Sequence, residues 1–200
     1  MSQQSFLLLP GMQIGDYSII HKIGNGGFGT VYKVESNTDS KQYALKIIKN
    51  NSTIAIHQEI EIAAMLGKPD QNLSKHNCFA YIHDIGETEN FTYYVSELLG
   101  PSLDLMVNRQ EDDSASQSVN FKKILHYAKE MLLCLKELHS MHIVHCDVKP
   151  ANFLIRNDTD EISLIDFGLS KVVKNHKLDQ KASIQNFFEK LFQFNISIKN

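Results

Sequence analysis

Glycines at positions 24, 26 and 29 form a G-x-G-x-x-G motif, and this spacing lets backbone amides approach a phosphate group closely. The motif occurs between a strand and a helix in dinucleotide-binding folds, between two strands in phosphate-binding hairpins, and in hairpins that bind nothing. Residues 30–34 follow it here and are rich in β-branched side chains. That composition favours a second strand and disfavours the dinucleotide-binding fold.

A lysine and two glutamates give a second chemical signal. Lys46 has apolar neighbours on a predicted strand, and a buried lysine is costly unless it has an anionic partner. A predicted helix at residues 54–66 offers Glu59 and Glu61. At about 100° per residue, Glu59 falls on the apolar stripe of this helix and Glu61 on a polar side. We therefore expect Glu59 to face Lys46 and Glu61 to be solvated.

Two polar motifs follow in the second half of the chain. Residues 145–152 read His-Cys-Asp-Val-Lys-Pro-Ala-Asn, and residues 166–168 read Asp-Phe-Gly after the apolar run 162–165. With the glycine motif and Lys46, they resemble the eukaryotic protein kinases, which carry an H-R-D-x-x-x-x-N catalytic loop and a D-F-G motif in this order. The resemblance implies ATP and Mg²⁺ as cofactors and a protein hydroxyl as the phosphoryl acceptor.

The resemblance also implies how the nucleotide and the metal are held. Lys46 would bind the α- and β-phosphates while paired with Glu59, and Asn152 and Asp166 would coordinate Mg²⁺. The glycines that would cradle the phosphates are Gly24, Gly26 and Gly29.

The chemistry of transfer is implied for two further residues. Asp147 would orient the acceptor hydroxyl and take its proton, and Lys149 would lie near the γ-phosphate. A lysine two residues after the aspartate is more similar to serine/threonine kinases than to tyrosine kinases. The predicted function is therefore that of an ATP-dependent protein serine/threonine kinase.

Residues 96–103 look like the hinge of the casein kinase 1 group, and somewhat like that of the dual-specificity and LAMMER-type kinases. On the first resemblance Ser96 is the gatekeeper, and the backbone of Glu97 and Leu99 would bind the edge of adenine. The apolar residues that would enclose the ring are Ile23, Val31, Ala44, Leu154 and Ile165. These five could instead be ordinary core residues, and Ile165 most of all.

The sequence departs from the family pattern at two places. Cys146 stands where kinases carry the arginine that grips an activation-loop phosphate, so we expect no control by such a phosphate. Only 32 of the 200 residues follow Gly168, and the last proline is Pro150, so an Ala-Pro-Glu motif is absent. We therefore expect a second lobe that is truncated at its C-terminal end.

The predicted strands and helices, together with the resemblance, imply an α+β, protein kinase-like fold. Its first lobe would have a five-stranded antiparallel sheet and one helix, and its second lobe would be truncated and mostly helical. Its predicted parts are an N-terminal extension (1–16), the first lobe (17–99), the partial second lobe (100–178) and an amphipathic helix (179–200). Strands are predicted at 17–23, 30–34, 43–48, 79–85 and 91–97, and helices at 54–66, 102–108 and 121–139. Apolar residues of the last segment, which need cover from this chain or a partner, are Ile184, Phe187, Phe188, Leu191 and Phe192.

Composition limits the class of partner. Twenty Lys and Arg against 23 Asp and Glu give a net charge of −3, which makes no case for nucleic acid or an anionic membrane. Three widely spaced cysteines and the lack of a long apolar run indicate an intracellular protein, cytoplasmic or nuclear. Two alternatives to an active kinase stay open: a catalytically impaired nucleotide-binding module, and a truncated gene fragment.

Overall fold

The computed structural model describes residues 7–26, 29–49, 53–66, 78–107, 114–157 and 159–173. Its first part is one antiparallel sheet with the strand order β1-β2-β3-β4-β6-β5. The strands are β1 (Gln13–Ile14), β2 (Tyr17–Gly26), β3 (Gly29–Ser36), β4 (Gln42–Lys49), β5 (Ile82–Glu87) and β6 (Phe91–Glu97). Alternate aromatic and aliphatic residues bury one face, including Tyr32, Val34, Leu45 and Val95.

The sheet has one strand more than the five that the sequence predicts. The added strand, β1, comes from the segment predicted as an N-terminal extension, and its two residues pair with Tyr17 and Ser18 of β2. A two-residue strand is too short to show alternation, which is why the pattern missed it. Turns with positive φ at Gly11 and Gly15 place it beside β2. The predicted strand at 79–85 is also shifted, because β5 begins only at Ile82.

The described helices are α1 (Thr53–Leu66), α2 (Leu103–Val107) and α3 (Ser114–Ser140). The apolar faces of α1 and α3 share a single core cluster, to which α1 contributes Ile62 and Leu66 and α3 contributes Leu135 and Leu138. Helix α3 begins at Ser114, seven residues before the predicted start at Phe121. Residues 114–120 are mostly polar, so they carry no apolar stripe that would predict a helix.

Short strands follow α3 and carry the polar motifs of the second half. They are β7 (Ile143–Val144), β8 (Phe153–Ile155), β9 (Ile162–Leu164) and β10 (Lys171–Val172), with a 3₁₀ turn at Pro150–Asn152. β7 pairs with β10 and β8 pairs with β9, both antiparallel. The predicted aromatic helix at 179–200 lies outside the described residues. Among those described, no helix is both long enough and apolar enough to cross a membrane.

Gly29 is the first residue of β3 and has a backbone conformation that residues with a side chain rarely adopt. Its φ is +151°, and a Cβ there would lie 2.3 Å from the carbonyl oxygen of Ile47 on the neighbouring strand. We expect Gly29→Ala to lower the free energy of unfolding by about 1–3 kcal/mol, because the strain and the backbone clash cannot both be relieved. Urea denaturation of the nucleotide-free protein measures this. The matched control is Gly24→Ala, whose Cβ would lie 3.5 Å from Val31, an ordinary contact; an equal loss in both variants would contradict the explanation.

Candidate active site

The glycine motif lies at the tip of the β2–β3 hairpin. Gly24 pairs with Val31, and Gly26 pairs with Gly29, so the motif joins two antiparallel strands. This arrangement rules out the strand-to-helix turn of a dinucleotide-binding fold. Residues 27 and 28, at the turn itself, lie outside the described residues.

Lys46 lies on β4 and contacts two carboxylates. Its Nζ donates to Glu59 Oε1 at 2.5 Å and to Asp166 Oδ1 at 3.0 Å. The Lys46 side chain is 11% exposed and that of Glu59 is 2% exposed. The lysine thereby joins the sheet, α1 and the Asp-Phe-Gly motif, which come from three distant parts of the sequence.

Glu59 is buried on α1, whereas Glu61 is exposed. The neighbouring Gln58 donates from Nε2 to the carbonyl oxygen of Ser170 at 2.6 Å. Ser170 Oγ in turn donates to the carbonyl oxygen of His145 at 3.3 Å. These two bonds hold the middle of α1 against the segment after Asp-Phe-Gly. They thereby fix the position of the helix turn that carries Glu59.

Tyr94 is a member of this cluster that the sequence analysis missed. It lies directly opposite Lys46 in the β4–β6 ladder, and its hydroxyl donates to Glu59 Oε1 at 3.0 Å. Burial, followed by the nearby Glu59 carboxylate, raises the pKa of Tyr94 well above its usual range, so the hydroxyl keeps its proton. The alternating pattern of β6 marks Tyr94 only as one more aromatic on a strand.

We expect Tyr94→Phe to lower the free energy of unfolding by about 1–2 kcal/mol, because Glu59 is buried and loses one of its donors. Denaturant titration at pH 7 measures the change. The control is Tyr81→Phe, because Tyr81 is half-buried and lies outside the cluster. Tyr93→Phe is unsuitable, because Tyr93 packs in the core on the other face of the sheet. Equal stability of the wild type and Tyr94→Phe would show that this hydroxyl contributes nothing.

A second polar cluster is formed by the loop between β7 and β8. Lys149 Nζ donates to Asp147 Oδ2 at 2.6 Å, and Asn152 Nδ2 donates to the same oxygen at 3.2 Å. Asn152 Nδ2 also donates to the carbonyl oxygen of Asp147 at 2.8 Å. The 3₁₀ turn that begins at Pro150 brings Asn152 back towards Asp147. The carboxylate of Asp147 is therefore held at a fixed position, with 19% of its side chain exposed.

The donor set of the two clusters fits a hard divalent cation. The backbone N–H of Ile165 donates to the carbonyl oxygen of Asn152 at 2.9 Å, which ties the Asp-Phe-Gly segment to the loop. Since Asn152 uses its amide nitrogen to bind Asp147, its amide oxygen is oriented away from that contact. The carboxylate of Asp166 and the amide oxygen of Asn152 are the kind of oxygen ligand that Mg²⁺ prefers.

His145 is fully buried behind the loop and acts as a structural neutral imidazole. Its Nδ1 accepts from the backbone N–H of Asp147 at 3.3 Å, which leaves Nε2 to donate to the carbonyl oxygen of Ile165 at 3.0 Å. Desolvation lowers the pKa of His145 below its usual range, although the Ile165 carbonyl and the two carboxylates nearby oppose the change. The buried ring of Phe167 packs edge-on against the His145 ring, with the ring centroids 5.5 Å apart, and anchors the Asp-Phe-Gly motif in the core.

The lowered pKa of His145 makes stability depend on pH. Below about pH 6.5, His145 is protonated in the unfolded chain and still neutral in the folded chain. The free energy of unfolding therefore falls as the pH drops from about 6.5 to the pKa of His145 in the folded protein. We expect His145→Gln to flatten this slope in urea denaturation between pH 7 and 5, and the exposed-residue control His126→Gln to keep it. The slope does not vanish in the variant, because burial also lowers the pKa of His139. An unchanged slope in His145→Gln would contradict the assignment.

Two non-glycine residues of the site have left-handed backbones. Cys146 has a φ of 64° and Asp166 a φ of 67°. Such conformations cost about 1–3 kcal/mol each and persist where the surrounding structure enforces them. Cys146 directly precedes Asp147 in the chain, and Asp166 is the residue whose carboxylate binds Lys46. Cys146 is exposed, and its thiol donates to the carbonyl oxygen of Val144 at 3.6 Å.

The residues predicted to enclose adenine lie on several different elements of the fold. Val31 pairs with Lys46, and Ala44 pairs with Ser96, so these four side chains share one face of the sheet. Ile23 is 46% exposed near the hairpin tip. The remaining predicted residues lie on other elements. Leu154, on β8, bridges to Ser102, and Ile165 precedes Asp166 and is half-buried. Glu97 ends β6, and Leu99 lies in the loop before α2.

Comparisons with known proteins agree with this geometry. The chain is 37% identical over 167 residues to a probable myosin light chain kinase from Dictyostelium discoideum, covering 81% of this chain and 49% of that protein. It is 31% identical over 180 residues to the serine/threonine-protein kinase cek1 from Schizosaccharomyces pombe, covering 86% of this chain and 12% of that protein. The chain thus spans about half the length of the first relative and a smaller part of the second.

A solved crystal structure of a kinase domain superposes with a TM-score of 0.72 at 24% sequence identity, covering 85% of this chain and 56% of that one, which supports the fold. The family described as the protein kinase domain matches residues 17–188, most of the chain. With the hairpin, the Lys46 cluster and the Asp147 loop in place, the sequence match and the geometry lead to one conclusion: this chain belongs to the protein kinase family.

Proposed function

We propose that this chain is an ATP-dependent protein serine/threonine kinase that uses Mg²⁺. The observation that carries the proposal is the position of Lys46, which binds Glu59 and Asp166 at once. A lysine so placed is oriented for phosphate and lies beside an oxygen ligand for a metal. The serine/threonine class is supported by Lys149, two residues after Asp147, and by relatives that are named as serine/threonine kinases.

We assign binding of the nucleotide to the residues of the hairpin, the Lys46 cluster and the Asp147 loop. Backbone amides at Gly24, Gly26 and Gly29 approach the phosphates, and Lys46 binds the α- and β-phosphates. On the purine side, Val31 and Ala44 share the sheet face of Lys46, and the backbone of Glu97 and Leu99 binds the edge of the base, with Ile23, Leu154 and Ile165 completing the enclosure. When bound to Asp166 and Asn152, Mg²⁺ supplies positive charge beside the phosphates.

The transfer itself is assigned to Asp147. Its carboxylate hydrogen-bonds the acceptor hydroxyl and takes the proton as the oxygen bonds to the γ-phosphorus, while the bond from that phosphorus to the bridging oxygen of ADP breaks. Lys149, which donates to Asp147 Oδ2, offsets negative charge on the moving phosphoryl group. Asn152 keeps the carboxylate in place through its two bonds to Asp147.

Within the family, we propose a casein kinase 1-like enzyme. The support is the hinge sequence at residues 96–103, with Ser96 as the gatekeeper, together with residues 147–150 and 165–169. Cys146 replaces the arginine that would bind an activation-loop phosphate, so activity should not require such a phosphate.

Matched acidic peptides that differ only in carrying Ser, Thr or Tyr as the acceptor test the proposal. With Mg-ATP, the wild type should phosphorylate the Ser and Thr peptides and not the Tyr peptide, and casein should serve as a protein acceptor. Lys46→Ala is the paired variant, since it removes the group that binds both Glu59 and Asp166. Equal incorporation of phosphate by wild type and Lys46→Ala would contradict the proposal.

A further inference from the structure

The segment between the sheet and α2 is bound along its length to the end of β8. Arg156 Nη1 is hydrogen-bonded and ion-paired with Glu97 Oε2, and Arg156 Nη2 donates to the carbonyl oxygen of Phe79 at 3.2 Å. The other carboxylate oxygen of Glu97 accepts from the backbone N–H of Tyr81 at 2.8 Å. With 15% of the Arg156 side chain exposed and 25% of that of Glu97, this pair is mostly shielded from solvent. A forked guanidinium suits such a junction, because its donors are fixed relative to each other.

The residues next to this pair extend the attachment. Asn157 Nδ2 donates to the carbonyl oxygen of Leu98 at 2.9 Å, and the backbone N–H of Gly100 donates to the carbonyl oxygen of Ile155 at 2.7 Å. A Cβ at Gly100 would lie 2.9 Å from both Ile155 and Asn157 oxygens, so only glycine allows this close approach. Residues 97–100 are therefore held against residues 155–157 by side-chain and backbone bonds together.

We propose that Arg156 is a positioning residue that holds the backbone of residues 97–99 in the register that binds the purine, and so sets the affinity for the base of the nucleotide. The inference rests on the proposed function, in which Glu97 and Leu99 bind the base. The carbonyl of Leu98 faces Asn157, on the β8 side of the segment. The backbone N–H of Gly100 points to the same side, towards Ile155. Because the C=O and the N–H of a trans peptide group point in opposite directions, the N–H and the C=O of Leu99 both point away from β8.

Calorimetric titration of the full chain with three probes separates the base from the phosphates: adenosine, Mg-ADP and Mg-tripolyphosphate. We expect Arg156→Met to weaken binding of adenosine and of Mg-ADP by the same factor, about tenfold, and to leave tripolyphosphate unchanged. Arg156→Lys should weaken adenosine by a smaller factor, because it keeps the charge and loses the fork. The matched control is Lys46→Met, which should weaken tripolyphosphate and Mg-ADP and leave adenosine unchanged.

Loss of stability is measured separately, because Arg156→Met leaves Glu97 without its cation. The double variant Arg156→Met with Glu97→Gln removes both charges; its melting temperature should return towards the wild type while adenosine binding stays weak. A lower melting temperature with wild-type affinity for adenosine would overturn the inference and leave the proposed function intact. A wild type that binds neither adenosine nor Mg-ADP would overturn the proposed function, and the inference with it.

Discussion

Asp147→Asn is expected to lower kcat by about 10²–10⁴-fold, because a general base of this kind contributes that factor and an amide cannot accept the proton. The substitution keeps the size and planarity of the side chain, and an amide oxygen can still accept from Lys149 and Asn152, which both donate to Oδ2 in the wild type. We therefore expect the KM for ATP to change little. Steady-state kinetics with casein as the acceptor measure both parameters.

The control for this variant is Asp160→Asn, which makes the same chemical change at an exposed position between β8 and β9. Its kcat should equal that of the wild type. A kcat within a factor of about three in Asp147→Asn, with a normal KM, would remove Asp147 from the chemistry and leave it a structural role in the loop.

Lys46→Met should reduce kcat/KM for ATP by about 10²–10³-fold, because the preorganised cation assigned to the α- and β-phosphates is removed. The variant should also be less stable by about 3–5 kcal/mol, since Glu59 is left as a buried carboxylate without its cation. Activity and unfolding in denaturant are measured on the same preparation.

The two effects of Lys46→Met can be separated by a second substitution. In Lys46→Met with Glu59→Gln, the unpaired buried charge is gone, so stability should recover while kcat/KM stays low. The exposed Lys22→Met serves as the control for loss of a positive charge on the same lobe. Recovery of activity along with stability would mean that Lys46 supports the fold and does not act on the nucleotide.

Much of the site could be predicted from the sequence because its residues lie on elements with clear periods. Strand alternation places Leu45 and Lys46 on opposite faces of the sheet, with Leu45 in the core. The helical period places Glu59 and Glu61 on different faces of α1. The composition after Gly29 likewise predicted a hairpin instead of a strand-to-helix turn. In each case one short stretch of chain contains the information.

Contacts between distant segments could not be predicted in that way. Arg156 binds Glu97 across 59 residues of sequence, and neither residue carries a sequence signal that points to the other. Tyr94 reads as a core aromatic, and only the register of β6 against β4 brings its hydroxyl to Glu59. The positive φ of Cys146 has no sequence signal either, because cysteine has no preference for that conformation.

One measurement decides between phosphoryl transfer and nucleotide binding alone. The 200-residue chain is mixed with Mg-ATP and casein, and rapid quenching counts the ADP formed and the phosphate on serine and threonine over time. We predict one phosphoserine or phosphothreonine for each ADP formed. When casein is left out, ADP should form only at the slow rate of ATP hydrolysis. A chain whose melting temperature rises with Mg-ATP but which transfers no phosphate would contradict the account and identify a nucleotide-binding module.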